Sequence, residues 1–304
     1  MTQKKFGSRS SKLARWQTGF IQRSLETLWP ELKSELVLIQ TEGDRVLELP
    51  LPEIGGKGLF TQELELALRE DRVDVAVHSL KDLPIEDSAG IVIGLIPERE
   101  TAHDVLVSRN AEALEDLPPG AVVGTSSLRR QGQLLVSRPD LVVKSLRGNV
   151  QTRLKKLEDG QYDAILLAHA GLVRLGLEAH ITQILPYEIM LPAPGQGALA
   201  VQCRQDDQET LKLLANLDDP LTRAEVEAER CFLQALGGGC SLPVGALAEH
   251  CQGEISMQGV VVSPDGKRVI RVAGSGSDPG ALGAALAREA LALGAGEVLH
   301  GQLV

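Results

Sequence analysis

The hydrophobic positions of this chain follow two different periods in turn. Short continuous apolar runs, which are typical of buried strands, alternate with segments whose apolar residues recur at helical spacing. The predicted strands are residues 6–8, 35–41, 73–77, 91–96, 121–124, 141–144, 164–168 and 198–202. The predicted helices are residues 13–28, 60–69, 126–136, 150–158, 221–236 and 279–293. This order predicts an α/β fold in which parallel sheets carry helices on both faces.

The alternating pattern occurs twice and then changes. A polar stretch at 97–103 separates two α/β lobes, and the strand predicted at 198–202 could return to the first sheet. Later strand-like segments at 244–249, 254–262 and 267–272 are typical of a small α+β domain. We therefore predict domain 1 at 1–97 and 198–216, domain 2 at 98–197 and domain 3 at 217–304, with a hinged cleft between the two lobes.

Charge and cysteine content narrow the classes of function. The formal net charge of −10 argues against nucleic acid as a partner, because a phosphate backbone favours a basic surface. No apolar run is long enough for a membrane span, and the N-terminus lacks the apolar core of a signal peptide, so we expect a cytoplasmic protein. The spacing of Cys203, Cys231, Cys240 and Cys251, without a histidine cluster, argues against a zinc site and against disulfides.

Arginine recurs with serine or asparagine where a predicted strand meets a predicted helix. The three junctions contain Arg9 with Ser11, then Thr125, Ser126, Ser127, Arg129 and Arg130, then Arg147 with Asn149 and Arg153. Strand-to-helix junctions line the ligand crevice of open α/β sheets, and a guanidinium binds carboxylate or phosphate through two parallel hydrogen bonds. Either these arginines are solvated, or together they bind a polyanionic ligand.

Two further stretches carry candidate chemistry in the first lobe. Lys81 and Asp82 follow the strand at 73–77, as an ordinary Lys–Asp turn or as a catalytic carboxylate that handles a proton or stabilises a cation. The glycine-rich segment at 55–58 contains Lys57 and lacks the spacing of a Walker loop. We interpret it as a mobile lid with one cation.

A run of three glycines, Gly237 to Gly239, ends the helix predicted at 221–236 and precedes Cys240. Glycine adopts backbone conformations that other residues avoid, so we expect Cys240 on a tightly turned or mobile loop. Cys240 is either an inert small side chain or a thiol presented for a covalent bond.

Taken together, these segments resemble the hydroxymethylbilane synthase (porphobilinogen deaminase) family over nearly the whole chain. The similar segments are GSRSSKLA, GGKGLF, AVHSLKDLP, VGTSSLRRQ, SLRGNVQTRL, LAHAGLVRLGL, PGQGALA and GGGCSLPVGA. The resemblance implies two lobes like those of periplasmic binding proteins, a small C-terminal domain, a monomer and no metal. It also implies an enzyme that joins four porphobilinogen molecules head to tail with loss of ammonia. Growth starts from one covalent dipyrromethane cofactor per chain, and hydrolysis releases hydroxymethylbilane.

The resemblance also assigns roles to residues of this chain. Asp82 is implied as the catalytic carboxylate that assists ammonia loss, and Cys240 as the thioether anchor of the cofactor. The other implied cofactor ligands are Lys81, Thr125, Ser126, Ser127, Arg129, Arg130, Arg147 and Gly171. The implied substrate ligands are Arg9, Ser11, Gln17, Lys57, Arg147 and Arg153. The chain departs from the usual family pattern at 101–104, at His169 and at Gln202, which puts a salt bridge at 101–104 in doubt. The alternative function is a non-catalytic two-lobed binding protein for a small polyanion.

Overall fold

The computed structural model describes residues 3–41, 61–86, 88–239 and 242–300. The chain divides into two compact units, the first formed by Met1–Glu100 with Ala198–Arg223 and the second by Thr101–Gly197 with Ala224–Val304. The described strands are β1 Gln3–Ser8, β2 Lys33–Leu38, β3 Val75–Ser79, β4 Ile91–Leu95, β5 Asp104–Ser108, β6 Val122–Gly124, β7 Val142–Lys144, β8 Ala164–Ala168, β9 Gln183–Ile184, β10 Leu199–Arg204, β11 Val244–Cys251, β12 Glu254–Val262 and β13 Val269–Gly276. The described helices are α1 Lys12–Leu28, α2 Gln62–Arg69, α3 Leu128–Ser137, α4 Val150–Glu158, α5 His169–Val173, α6 Gln208–Ala215, α7 Pro220–Ala235, α8 Pro279–Ala292 and α9 Ala295–His300.

The first unit is built on a five-stranded sheet in the order β2-β1-β3-β10-β4. Helix α1 begins because the Ser11 side chain accepts a hydrogen bond from the Ala14 amide, and its buried face includes Ile21 and Leu25. These side chains pack with Phe6 and Val77 on one face of the sheet. The other face packs against α2 in a separate cluster of Ile39, Leu64, Ala67, Leu68, Val73, Ala76 and Ile91. One face of the sheet is therefore covered by α1 together with α6, and the other face by α2.

The second unit contains a five-stranded sheet in the order β7-β6-β8-β5-β9 and a three-stranded antiparallel sheet in the order β11-β12-β13. Helix α3 follows β6 and buries Leu134 with Val123 and Leu166. Helix α4 buries Leu154 and Leu157 on the opposite face of the five-stranded sheet. Helix α8 packs against β13, which is the arrangement of an α+β element. The predicted fold class, α/β sheets followed by a small α+β part, is confirmed; the three predicted domain boundaries stay a prediction.

The strand directions correct one expectation. Both five-stranded sheets were expected to be parallel, and both are mixed: β10 runs antiparallel to β3 and β4, and β5 runs antiparallel to β8 and β9. The sequence pattern did not indicate β5 or β9, because β5 follows the polar stretch without a preceding turn signal and β9 has only two residues. The return of the strand after residue 198 to the first sheet is confirmed.

Candidate active site

A pocket in the first unit lies where β1 and β3 end, beside helix α1. Its lining residues are Arg9, Ala14, Gln17, Thr61, Val77, His78, Ser79 and Asp82. The pocket therefore brings together Asp82, Arg9 and Gln17, three of the residues predicted for the site. Ser11 lies nearby in sequence as the cap of α1, and Lys81 is half-buried in the turn that contains Asp82.

The turn that presents Asp82 is fixed from both ends. Leu80 to Asp82 form one turn of 3-10 helix directly after β3, and the Leu80 side chain is fully buried. The Leu80 amide donates to the carbonyl oxygen of Ala198 at 3.0 Å, and the Leu83 amide donates to that of Leu80 at 3.1 Å. Gln17 Nε2 donates to Ser79 Oγ at 2.8 Å, which ties helix α1 to the end of β3. Asp82 itself is exposed, so its carboxylate faces solvent on a rigid support.

The second unit has two capped junctions of the kind that the sequence indicates. Ser127 caps α3 by accepting from the Arg130 amide, and Asn149 caps α4 by accepting from the Thr152 amide at 2.9 Å. Ser126 Oγ joins the two junctions, because it accepts from the Leu146 amide at 3.0 Å and donates to the Leu146 carbonyl at 2.9 Å. Thr125 is buried, and its hydroxyl accepts from the Ser127 amide. The helix starts are therefore held in one hydrogen-bonded cluster.

Arg129 and Arg130, in the first turn of α3, meet a carboxylate of the protein itself. Arg129 Nη1 lies 2.6 Å from Asp104 Oδ2, and Arg130 Nη2 lies 2.6 Å from Asp104 Oδ1. Asp104 is fully buried at the start of β5, and Gln196 Nε2 donates to it at 2.9 Å. Asp104 thus supplies the negative charge that offsets two basic residues at the positive N-terminus of the helix. The role of both arginines as cofactor ligands stays a prediction.

The protonation states of this buried cluster follow from its charges. Burial raises the pKa of Asp104, but the charges and hydrogen bonds of Arg129 and Arg130 outweigh it and hold that pKa well below the ordinary value. Burial lowers the pKa of Arg129, and the neighbouring Asp104 opposes that shift. An arginine remains protonated at any working pH. The cluster therefore holds two positive charges and one negative charge, which leaves a net positive charge at the start of α3.

Some arginine donors of the second unit remain for a ligand. Arg129 Nε and Arg147 Nη1 are buried without a hydrogen-bond partner among the described residues. A buried unpaired charged donor is costly, so such atoms point to an anion that completes them. Arg153 Nε donates to the carbonyl oxygen of Gly148 at 2.7 Å, and Gly148 has a φ of 116°, which favours glycine. The two unpaired donors fit the carboxylates of the implied dipyrromethane group. Gly171 lies half-buried in α5.

Three positive-φ glycines precede Cys240. Gly237, Gly238 and Gly239 have φ values of 104°, 64° and 127°, so the chain after α7 adopts a path that side chains with a Cβ resist. Cys240 and Lys57 lie outside the described residues, and their predicted roles stay predictions. Burial raises the pKa of Cys203 to about 11, so that thiol remains protonated and unreactive near neutral pH.

No role was predicted from the sequence for Asp104 or His78, and the structure gives both a place at the candidate site. The sequence marked Asp104 only within the unusual stretch 101–104, and a charged residue that opens an apolar run is the signal that could have identified it as a buried partner. His103 of that stretch stacks on Tyr187, with ring centroids 3.9 Å apart, and its Nδ1 contacts the Leu185 carbonyl oxygen at 2.9 Å. The motif around His78 indicated no role for that residue, and it lines the pocket beside Asp82.

Comparisons with known proteins agree over almost the full length. Residues 5–212 match the family model described as porphobilinogen deaminase, dipyromethane cofactor binding domain, and residues 223–292 match porphobilinogen deaminase, C-terminal domain. A porphobilinogen deaminase of Brevibacillus brevis is 52% identical over 97% of this chain and 96% of that protein. One of Pelotomaculum thermopropionicum is 50% identical over 96% and 95% of the two chains.

These matches define a transferase of tetrapyrrole biosynthesis with a dipyrromethane cofactor. The chain belongs to the porphobilinogen deaminase family, and porphobilinogen is its substrate. Among solved structures, the periplasmic VFT2 domain of Bordetella pertussis BvgS is 15% identical over 71% of this chain and 86% of that one, with a TM-score of 0.42. A likeness this weak supports no assignment.

Two further features of the described residues concern membrane-spanning helices and groups that could bind a metal ion. None of its helices combines the length and the apolar character that a membrane crossing requires. The described His, Cys, Asp and Glu side chains also form no group of three or more that could hold a metal ion.

Proposed function

We propose that this chain condenses four porphobilinogen molecules head to tail, with loss of ammonia, on a dipyrromethane anchored through Cys240, and then releases hydroxymethylbilane by hydrolysis. The observation that carries this proposal is the exposed Asp82 carboxylate in a pocket that also contains Arg9. A carboxylate there can stabilise positive charge as ammonia leaves, while arginine binds a substrate carboxylate. The alternative, a non-catalytic polyanion-binding protein, gives no role to Asp82.

The site residues are assigned to three tasks: catalysis, substrate binding and cofactor binding. Asp82 assists ammonia loss and stabilises the cation that develops on the substrate. The carboxylates of the substrate are bound by Arg9, Ser11, Gln17, Lys57, Arg147 and Arg153. The cofactor is held by Lys81, Thr125, Ser126, Ser127, Arg129, Arg130, Arg147 and Gly171. Two arginine atoms without a hydrogen-bond partner among the described residues, Arg129 Nε and Arg147 Nη1, can donate to the carboxylates of the cofactor.

When bound, the dipyrromethane supplies the pyrrole carbon to which the first substrate is joined. The protein contributes the anchor and the surrounding charge. The three positive-φ glycines 237–239 give the end of α7 a backbone path that residues with a Cβ rarely adopt. The net positive charge at the start of α3 favours the carboxylates that accumulate as the product grows.

The protein acts alone in this proposal. The net charge of −10 disfavours nucleic acid as a partner. We propose a monomer that works in the cytoplasm, where reducing conditions keep Cys240 available as a thiol until the cofactor is attached.

The intact mass of the protein tests the anchor. Protein made in cells that produce porphobilinogen is expected to exceed the 32.6 kDa polypeptide by one dipyrromethane unit. The Cys240→Ser variant is expected to show the polypeptide mass alone, whereas Cys231→Ser, the matched control, keeps the added mass. If the unsubstituted chain has only the polypeptide mass, the covalent cofactor at Cys240 is wrong.

A further inference from the structure

Three side chains lead from the pocket to helix α2. His78 lies on β3 and lines the pocket, Gln202 lies on the neighbouring β10, and Glu65 lies on α2. All three are buried, with 5%, 6% and 6% of their surface exposed, respectively. Gln202 Nε2 donates to Glu65 Oε1 at 3.0 Å, and Ser88 Oγ donates to Glu65 Oε2 at 2.5 Å. The mechanism proposed above uses none of them.

The amide of Gln202 sets the orientation of the His78 ring. Because Gln202 Nε2 donates to Glu65 Oε1, the amide turns its nitrogen toward Glu65 and its oxygen away. Gln202 Oε1 and His78 Nε2 are both buried without a partner of good geometry, although the two side chains are neighbours. An oxygen beside this nitrogen favours the tautomer with a proton on Nε2. His78 Nδ1 is then the acceptor that the ring can offer to the pocket.

The ring is uncharged under working conditions. Burial lowers the pKa of His78 to about 4, the Gln202 amide raises it in part, and the nearby Arg9 lowers it further. The charged groups around His78 are Arg9 after β1, Asp82 in the turn after β3 and Glu65 on α2. Gln202 stands between His78 and Glu65, so the nearest side chain on that side is a neutral amide rather than a carboxylate.

We propose that His78 is a substrate-contacting residue whose neutral ring accepts, at Nδ1, a hydrogen bond from an N–H group of porphobilinogen next to Asp82. This inference rests on the proposed function. Porphobilinogen offers two such groups, its aminomethyl nitrogen and its pyrrole nitrogen. Arg9 and the amide nitrogen of Gln17 are donors, and Ser79 Oγ already accepts from Gln17, so His78 adds a neutral acceptor beside the carboxylate of Asp82. A neutral acceptor orients an N–H group without adding a second charge beside Asp82.

Two variants separate the nitrogens of the ring. Asparagine places an oxygen near the former Nδ1, whereas glutamine places its amide near the former Nε2. His78→Asn is therefore expected to keep most of kcat/KM, and His78→Gln to lose about tenfold, the cost of one good hydrogen bond. Equal kcat/KM values for the two folded variants would overturn the proposal.

A substrate analogue with methyl in place of aminomethyl distinguishes the two donors. If the aminomethyl group binds His78, His78→Gln weakens the substrate and leaves the inhibition constant of the analogue unchanged. If the pyrrole N–H binds His78, the variant weakens both by the same factor. A variant that weakens neither contradicts any contact between His78 and an N–H group.

Gln202→Glu tests the neutral ring through the pH dependence of activity and through ¹⁵N spectra, which do not depend on turnover. A carboxylate at 202 raises the pKa of His78, because an opposite charge favours the protonated form. Activity is then lost as pH falls from 8 to 6, whereas the unsubstituted chain lacks this loss. In ¹⁵N spectra, His78 is expected to be the Nε2–H tautomer without titration between these pH values, and to titrate after the substitution.

The spectra also separate failure of this inference from failure of the proposed function. The histidine signals are assigned by comparison with His78→Asn. A charged His78 in the unsubstituted chain, or an Nδ1–H tautomer, overturns the inference while condensation activity remains. A chain with the expected tautomer but without condensation activity would contradict the proposed function instead.

Discussion

The two α/β units use an aspartate beside arginine in opposite ways. In the second unit Asp104 is fully buried and binds two guanidinium groups, so its charge stabilises the start of α3. In the first unit Asp82 is exposed in a pocket with Arg9, and it forms no ion pair among the described residues. Burial therefore decides whether such a carboxylate supports the fold or is open to a substrate. A carboxylate saturated by arginine holds a structure, and an accessible one can act on a substrate.

The largest effect is expected from removing the accessible charge. Asp82→Asn keeps the size of the side chain but can neither take a proton nor balance a cation. Turnover is expected to fall by roughly 10²–10⁴-fold, the usual contribution of a positioned acid or base. Single-turnover assays measure the loss, and the thermal midpoint is expected to stay unchanged because Asp82 is exposed. Turnover within a factor of two of the unsubstituted chain would remove Asp82 from the chemistry.

The buried aspartate is expected to affect stability instead. Asp104→Asn leaves Arg129 and Arg130 without their shared counter-charge, and breaking a buried pair in this way costs about 3–5 kcal/mol. Denaturant unfolding measures the change. Asp140→Asn is the matched control, since its pair with Arg138 lies at the surface, and it should cost far less. Similar losses for the two variants would contradict the structural role of Asp104.

Acid should remove the same stabilisation without a mutation. Because the pKa of Asp104 is depressed in the folded chain by Arg129 and Arg130, its contribution is present above the unfolded pKa of about 4 and is lost as pH falls toward the folded value. Unfolding curves between pH 5 and 2 are expected to show this loss in the unsubstituted chain. Asp104→Asn is expected to show a shallower dependence, and an unchanged slope would contradict the assignment.

A smaller loss of stability is expected from a substitution where α3 contacts the three-stranded sheet β11-β12-β13. A Cβ at Gly132 would lie 2.6 Å from the Ser263 carbonyl oxygen and 2.9 Å from Val262. Gly132→Ala is therefore expected to destabilise by about 1–3 kcal/mol, as overpacking does. Gly280→Ala is the control, because its Cβ would meet the nearest atoms at 3.5 Å and 3.9 Å, and it should be tolerated. Equal stability of the two variants would mean that Ser263 and Val262 move away from residue 132 without loss of stability.

The smallest effect has the opposite sign and lies in the first unit. Gly19 lies within α1, and a Cβ there would meet only the end of the flexible Arg23 side chain. Gly19→Ala is expected to stabilise by about 0.5–1 kcal/mol, because alanine loses less backbone entropy in a helix. Thermal unfolding checks the gain. A loss of stability would mean that Arg23 cannot move aside.

Local features of the site were predictable from sequence, and long-range ones were not. The helix starts beside Ser11, Ser127 and Asn149 were predicted to within two residues, because the signals of a helix start lie within one turn of the chain. The pairing of Asp104 with Arg129 joins positions that are 25 residues apart, and no periodicity encodes it. Strand direction was missed for the same reason: β5 and β10 acquire their neighbours from distant segments. The anchor at Cys240 and the lysine at 57 remain sequence predictions.

The route of the chain through its first sheet has a consequence for synthesis on the ribosome. Among the described strands, β4 pairs only with β10, and β10 separates it from β3. A nascent chain must therefore extrude about a hundred further residues before β4 finds its neighbour, and meanwhile an apolar segment awaits its partner. Folding of the N-terminal part is thus coupled to the emergence of residue 204, and chaperones that shield such segments have a defined interval in which to act.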